Sequence, residues 1–245
     1  MRIVMAESRK NLVSPVWTIG LAAGLTLAVM TIVGLLADHK EAIALTGTGV
    51  QAALDDATRY WMNIYLPVSV VAAWGIAKEF QDGEIKRSVQ LYGRNRGKLL
   101  VAKFTGLIPF AVIIAVVTGV LAAFAPPLLL RVFGIQVGAA TVDMQIVAGL
   151  VGIQFIAVAW GFAIGLLLRN ATLALGVLFL QTMIETYGSI ALPEVGKYTY
   201  TSLLGSLYKD VGGWTMDMGL AAGLALAWVA VAMIAAVVTF LRRDV

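Results

Sequence analysis

Six apolar runs divide this chain, at 15–37, 60–78, 103–125, 146–168, 171–190 and 217–241. Each is near the roughly 20 residues a helix needs to cross a bilayer. Of the 245 residues, 60% are hydrophobic and only 13% charged, where a soluble domain carries about a quarter charged residues. The runs take up the length and leave no room for a second soluble domain of ordinary size. The expectation is an all-α integral membrane protein, with 1–245 as a single transmembrane domain of six helices. Pro15 opens the first run, while Pro67 and Pro109 fall inside the second and third and predict kinks there. Ala125-Pro126-Pro127 reads as the stop of the third helix. Only Arg169 and Asn170 part the fourth and fifth runs, so these form a tight hairpin.

The charges orient the runs. One side takes the N-terminus, the 78–103 connection, Arg169 and the C-terminus, and with them thirteen of the eighteen Lys and Arg. The other side holds five: Lys40, Arg59, Arg131, Lys197 and Lys209. The acids run the opposite way, five against nine. The positive-inside rule then puts both termini and the 78–103 connection in the cytoplasm. The external connections are 38–59, with a short helix expected around Val50–Ala57, then 126–145 and 191–216. The last, with Leu203, Leu204, Leu207 and Tyr208 at helical spacing, is expected to dip into the outer leaflet, buried in protein or lining a cavity.

The N-terminus does not read as a cleaved signal peptide, because the apolar run after Arg2, Glu7, Arg9 and Lys10 is too long. Residues 1–14 place Met1, Val4, Met5 and Leu12 near one helical face, with Arg2, Arg9 and Lys10 able to reach phosphates. An interfacial amphipathic helix fits this pattern, with a disordered basic tail as the alternative. The 78–103 connection carries seven basic residues and the acids Glu79, Asp82 and Glu84. Within it Ile85, Val89 and Tyr92 recur at i, i+4 and i+7, between Gly83 and Gly93, and predict a short helix over 82–92. A bare cytoplasmic turn needs no such apolar face, so a helix that docks on a partner is the reading.

Catalytic and metal chemistry finds few residues to work with. Cysteine is absent and His39 is the single histidine, so no histidine- or cysteine-based metal site is expected. There is no G-x-x-x-x-G-K-[ST], no H-E-x-x-H and no G-x-S-x-G, and no two aspartates share the interior of the spans. An enzyme is not expected, and the placement of the basic residues around the spans argues against a nucleic-acid partner despite a net charge of +4. The polar residues within spans are candidate functional positions: Asn63, Tyr65 and Ser69 on the second, Gln154 on the fourth, Gln181 and Glu185 on the fifth. Glu185 stands out, because a charge in a span costs about 2.5–3.5 kcal/mol even on insertion scales. The plainer readings are headgroup water for Glu185 and interhelical glue for the amides. Trp17, Trp61, Tyr187, Tyr198, Tyr200 and Trp214 read as interfacial anchors. Gly219 and Gly223 have the spacing of a close helix contact.

Glu79, Gly83, Ile85, Lys86, Arg96 and Lys103 fall at the places of a segment of the kind E-x-x-x-G-T-I-K, a turn, and P-x-S-R followed by a lysine. Here Glu84 takes the threonine position and Gly93-Arg94-Asn95 the proline-serine element. With the closing Phe240-Leu241-Arg242-Arg243-Asp244 and the six-run layout, the chain resembles the permeases of type 2 ABC transporters, the exporter class. The resemblance implies a permease subunit in a bacterial cytoplasmic membrane, moving a hydrophobic or amphiphilic compound such as an antibiotic peptide, drug or lipid. It implies two permease protomers, identical or paralogous, each resting on a separate ATPase subunit that holds ATP and Mg, with no cofactor on this chain. It further implies that Glu79, Gly83, Glu84, Ile85, Lys86, Arg87, Val89 and Tyr92 form the coupling contact, and that Asn63, Tyr65, Gln154, Gln181 and Glu185 line a substrate path between protomers. Two other classes stay open: an ion- or proton-coupled transporter acting alone, and a non-transporting scaffold or sensor subunit.

Overall fold

Proline at a first helical turn forgoes only an N–H that would have no partner there, and Pro15 opens the first long helix in this way. The computed structural model describes residues 2–46, 49–91, 96–209 and 216–242. Tyr92, Gly93, Arg94, Asn95 and Trp214 lie outside the described residues, as do the side chains of Leu12, Asp38 and His39. The order is α1 (Arg2–Val13), α2 (Pro15–Thr46), α3 (Gly49–Arg59), a 3₁₀ segment (Tyr60–Ile64), α4 (Tyr65–Gln81), α5 (Glu84–Leu91) and α6 (Arg96–Gly106). It continues with α7 (Ile108–Val132), α8 (Met144–Leu168), α9 (Ala171–Ala191), α10 (Pro193–Gly196), α11 (Tyr200–Leu207) and α12 (Met218–Arg242). Among the described residues every regular element is helical, and six helical stretches are long and apolar enough to cross a membrane. These are Pro15–Ala37, Gly49–Gln81, Arg96–Val132, Met144–Leu168, Ala171–Ala191 and Met218–Arg242.

Helix α8 sits at the centre. It is apolar all round, as a helix surrounded by others must be, and α4, α7 and α12 pack on it. Close approach to α4 is set by Gly161 and Gly165, where an added Cβ would stand 2.0 Å from the Ser69 carbonyl oxygen and 2.3 Å from that of Ala73. The Ser69 hydroxyl then donates to the Ala157 carbonyl at 3.0 Å, bonding the two helices where they touch. Gly20 and Gly24 do the same for α2, against Val71 and Ile64. Gly219 and Gly223, which the sequence singles out, meet no other helix: Gly223 has nothing within 4 Å.

Both prolines expected to kink spans instead begin new helical segments. Pro109 stands in the first turn of α7 after a break at Leu107, and Pro67 in the first turn of α4 after the 3₁₀ segment. The Pro126-Pro127 pair, expected to end the third helix, lies inside α7, which runs on to Val132. Proline's φ suits a helix and its cost falls on bonds to the preceding turn. Burial of Pro126 and of Leu130, which is 0% exposed, holds the helix together beyond it.

Two ends of the bundle are distinct. At one, Phe80 meets Phe240 edge-on, and Arg169 donates to the Thr239 carbonyl at 3.1 Å while lying over the Phe80 ring. The start of α1–α2, the α4–α6 connection, the α8–α9 turn and the end of α12 therefore gather together, as the charge pattern predicts. At the other end Gln51 bonds Thr141 and Lys209 pairs with Asp143 at 2.6 Å. The helix expected around Val50–Ala57 is α3. The described part of the 191–216 connection packs into the protein at α11: Tyr200, Leu203, Leu204 and Leu207 are buried, and a Cβ at Gly149 would overlap the Leu207 carbonyl.

Three expected interfacial anchors belong to the core instead. Trp17 stacks on Phe110, Trp61 is 2% exposed, and Tyr200 stacks on Trp160. Tyr187 and Tyr198 are exposed, as anchors are.

Candidate functional site

At the end that gathers α1 and the close of α12, five charged side chains from four elements form one network. Lys103, on α6, is only 5% exposed and sits 2.7 Å from Glu79 at the end of α4 and 3.0 Å from Glu7 on α1. Lys10, also on α1, reaches Glu79 at 2.8 Å and pairs with Glu84, the first residue of α5. Three carboxylates thus share two ammonium groups. Asn11 adds a bond from its side-chain amide to the Gly106 carbonyl, and a Cβ at Gly106 would meet Glu7 at 2.8 Å. The N-terminal helix is therefore fastened along α6, with α4 and α5 tied to it.

Burial alone would lower the Lys10 pKa, but its bonds to Glu79 and Glu84 outweigh that, and the net shift is upward. The bond from Lys10 holds the Glu84 carboxyl below the ordinary carboxylate range, against a smaller opposing effect of burial. Both groups are charged throughout the neutral range.

Gly83 makes the turn into α5. Its φ of 72° is a backbone region that favours glycine, and its carbonyl accepts the first helical bond from Arg87 N–H at 3.1 Å. Ile85 is 1% exposed and Val89 packs against the same core, so the apolar face of α5 turns inward. The sequence pattern leads one to expect this face against a partner, and the structure turns it inward. The reason is local: α5 is short and lies across the ends of α4 and α6, which bury its apolar side first. What α5 presents outward is Lys86, Arg87 and Gln90, all exposed.

A cavity of about 200 Å³ opens beside the network, walled by Trp17, Trp74, Ile76, Leu107 and Phe162 as well as by its charged groups.

The five residues expected to line a substrate path do not form one surface. Asn63 donates to the Thr31 hydroxyl at 3.1 Å, tying the 3₁₀ segment to α2. Gln154 is fully buried in α8, with its amide only 3.4 Å from the Leu150 carbonyl of its own helix. Tyr65, Gln181 and Glu185 do come together. Gln181 links the Trp160 indole N–H at 3.2 Å to Glu185 at 2.8 Å, and the Tyr65 hydroxyl bonds Thr182 and Thr201. The other Glu185 oxygen accepts the Thr201 backbone N–H at 2.7 Å. That N–H lies in the first turn of α11, where Thr199, the residue before the helix, makes no side-chain cap. Glu185 therefore caps a neighbouring helix, which explains its presence within an apolar run.

Glu7, Lys10 and Lys103 complete the network without a sequence signal for their pairing, since Glu7 and Lys103 stand 96 residues apart. The one hint is a lysine at the start of an apolar run, which needs a partner once buried. No family model matches the chain, and no curated protein matches it.

Proposed function

We propose that the chain is the membrane-spanning subunit of an ATP-driven exporter, working as a pair of protomers, each seated on a separate ATPase subunit. One observation carries the reading: α5, a short helix between two spanning stretches, is fastened at Glu84 to the N-terminal helix and at Ile85 to the core while leaving a basic face outward. A bare loop would pass no force into the spans. A helix fastened at both points moves as one body with α1, α4 and α6, so a push on Lys86 and Arg87 reaches the spans. Such coupling needs a partner that contacts two states of the bundle differently. The ATPase supplies that by closing on ATP and Mg, and its contact is Gly83, Lys86 and Arg87, with Glu79, Glu84, Ile85 and Val89 behind them as support. The end bearing the network faces the cytoplasm, following the excess of lysine and arginine there. The cargo is a hydrophobic or amphiphilic compound, passing between protomers along the exposed apolar faces of α2 and α9.

The test is affinity purification of the tagged chain from its own cells in mild detergent, with stoichiometry by mass spectrometry. Equal copies of this chain and a soluble ATPase support the reading. Recovery of this chain alone after crosslinking overturns it.

A further inference from the structure

Glu185 carries a charge that its contacts do not use. As a helix cap it accepts the Thr201 N–H at 2.7 Å, and Gln181 donates to its other oxygen at 2.8 Å. Both donors are neutral. Glutamine would accept the Thr201 bond as well, and a cap is worth less than a charge in a span costs. Among the described residues no ammonium or guanidinium pairs with Glu185. The lysines toward this end are engaged elsewhere, Lys197 with Glu194 and Lys209 with Asp143. A second group faces the same place. Tyr200 is 3% exposed, yet its hydroxyl has no hydrogen-bond partner among the described residues. The titratable groups around that hydroxyl are Tyr65 and Glu185. The Tyr200 ring is fixed by its stack on Trp160, with centroids 4.6 Å apart, and the Trp160 indole in turn bonds Gln181. A hydroxyl held this way cannot swing out to water. The Tyr65 hydroxyl, bonded to Thr182 and Thr201, completes the wall.

A carboxylate and two phenols offer more lone pairs than these donors fill, and their negative charge has no positive group to balance it. That is the chemistry of a hard cation, which takes oxygen ligands. One carboxylate balances one positive charge, whereas a divalent ion would leave an excess in apolar surroundings. Glu185 is half-buried, so an ion can reach it from the surface of α9. We infer that Glu185, Tyr65 and Tyr200 bind a single alkali-metal cation through their oxygens. Two ions share that chemistry, sodium and potassium. Bound there, the cation fastens α9 to α4 and α11, the helices that carry the three side chains. The site does not rest on the exporter reading, since its groups all belong to this chain.

The full chain is reconstituted in nanodiscs of phosphatidylcholine, and binding of radioactive sodium is measured by scintillation proximity, with N-methylglucamine holding the ionic strength constant. Radioactive rubidium stands in for potassium in a parallel titration. Saturable binding of one ion per chain is expected, and the isotope bound more tightly identifies the ion. Glu185→Gln, which keeps an acceptor for Thr201, is expected to abolish binding. Tyr200→Phe keeps the stack on Trp160 and removes the hydroxyl alone, and is expected to weaken binding about tenfold or more. Glu194→Gln, at a carboxylate whose side chain is 88% exposed, should bind as the parent does. Absence of saturable binding of both isotopes, binding unaltered by Glu185→Gln or by Tyr200→Phe, or an equal loss in Glu194→Gln overturns the assignment.

Discussion

Lys103 and Glu79 stand 2.7 Å apart, the lysine only 5% and the glutamate 13% exposed, so the start of one spanning stretch is pinned by charge to the end of another. Removing one member of a buried pair strands the other, at a cost of about 3–5 kcal/mol. Lys103→Met is accordingly expected to lower the unfolding midpoint of the purified chain sharply in detergent. Adding Glu7→Gln to the same chain should recover part of the loss, because Glu7 is the carboxylate that loses its partner, while Glu79 keeps Lys10. A change below about 1 kcal/mol, the range of exposed pairs, would mean that the pair is solvated.

Glycine spacing gives a second contrast. Gly161→Ala would bring a methyl group to 2.0 Å from the Ser69 carbonyl oxygen, whereas Gly223→Ala meets nothing within 4 Å in this chain. Overpacking typically costs about 1–3 kcal/mol, so the first should destabilise the chain and the second leave its intrinsic stability unchanged. Unfolding of both variants in detergent checks this. If Gly223→Ala instead shifts a dimer equilibrium without altering monomer unfolding, that face of α12 contacts a second protomer.

Glu185 is expected to act through α11. Losing a helix cap costs about 0.5–2 kcal/mol, so Glu185→Ala should speed hydrogen exchange across Tyr200–Leu207. Glu185→Gln, which keeps an acceptor for the Thr201 N–H, should hold exchange close to that of the parent. Equal acceleration by both would point to the charge itself as the needed feature.

The tie between α1 and α5 should weaken in acid. The folded pKa of Glu84 is depressed by the bond from Lys10. Its contribution is therefore complete above the unfolded value of about 4.3 and is lost as pH falls through the folded one. Lys10 is shifted the other way. Its contribution is complete below about 10.4 and disappears as pH rises through the folded value. The tie is thus constant across neutral pH. Exchange of the α5 amides, corrected for intrinsic rate, should stay flat from about pH 8 to 6 and rise toward pH 3. Since Lys10 and Glu84 are 48% and 43% exposed, high salt should loosen the same tie at pH 7 by screening.

Much of the architecture was legible because a bilayer leaves few options. Runs of apolar residues gave the spans, and the lysine and arginine pattern placed the N-terminal helix, Arg169 and the end of α12 together. The site was legible only in part. Ile85 and Val89 signalled a helix correctly, but periodicity says that a face is buried and not by what, and here the chain's own core covers it. Gly219 and Gly223 carry the same spacing as Gly20–Gly24 and Gly161–Gly165, yet only the latter two pairs are packed. Spacing permits close approach, and the neighbour decides whether it happens. Trp17 lies near the start of an apolar run and Tyr200 in the connection after the fifth, where anchors and core aromatics look alike until their stacking partners, Phe110 and Trp160, are known. The pairing of Glu7 with Lys103 depends on how α1 folds back, which no local pattern records.

The central claim is that the outward face of α5 meets an ATPase subunit. The most direct test places a photo-crosslinking residue at Arg87 in the full chain in its own cells, with the same residue at Val116, an exposed apolar position on α7, as the control. The account predicts that light joins the chain to a soluble ATPase from position 87 and not from position 116. No crosslink to an ATPase from position 87, or equal crosslinking from both positions, would contradict it.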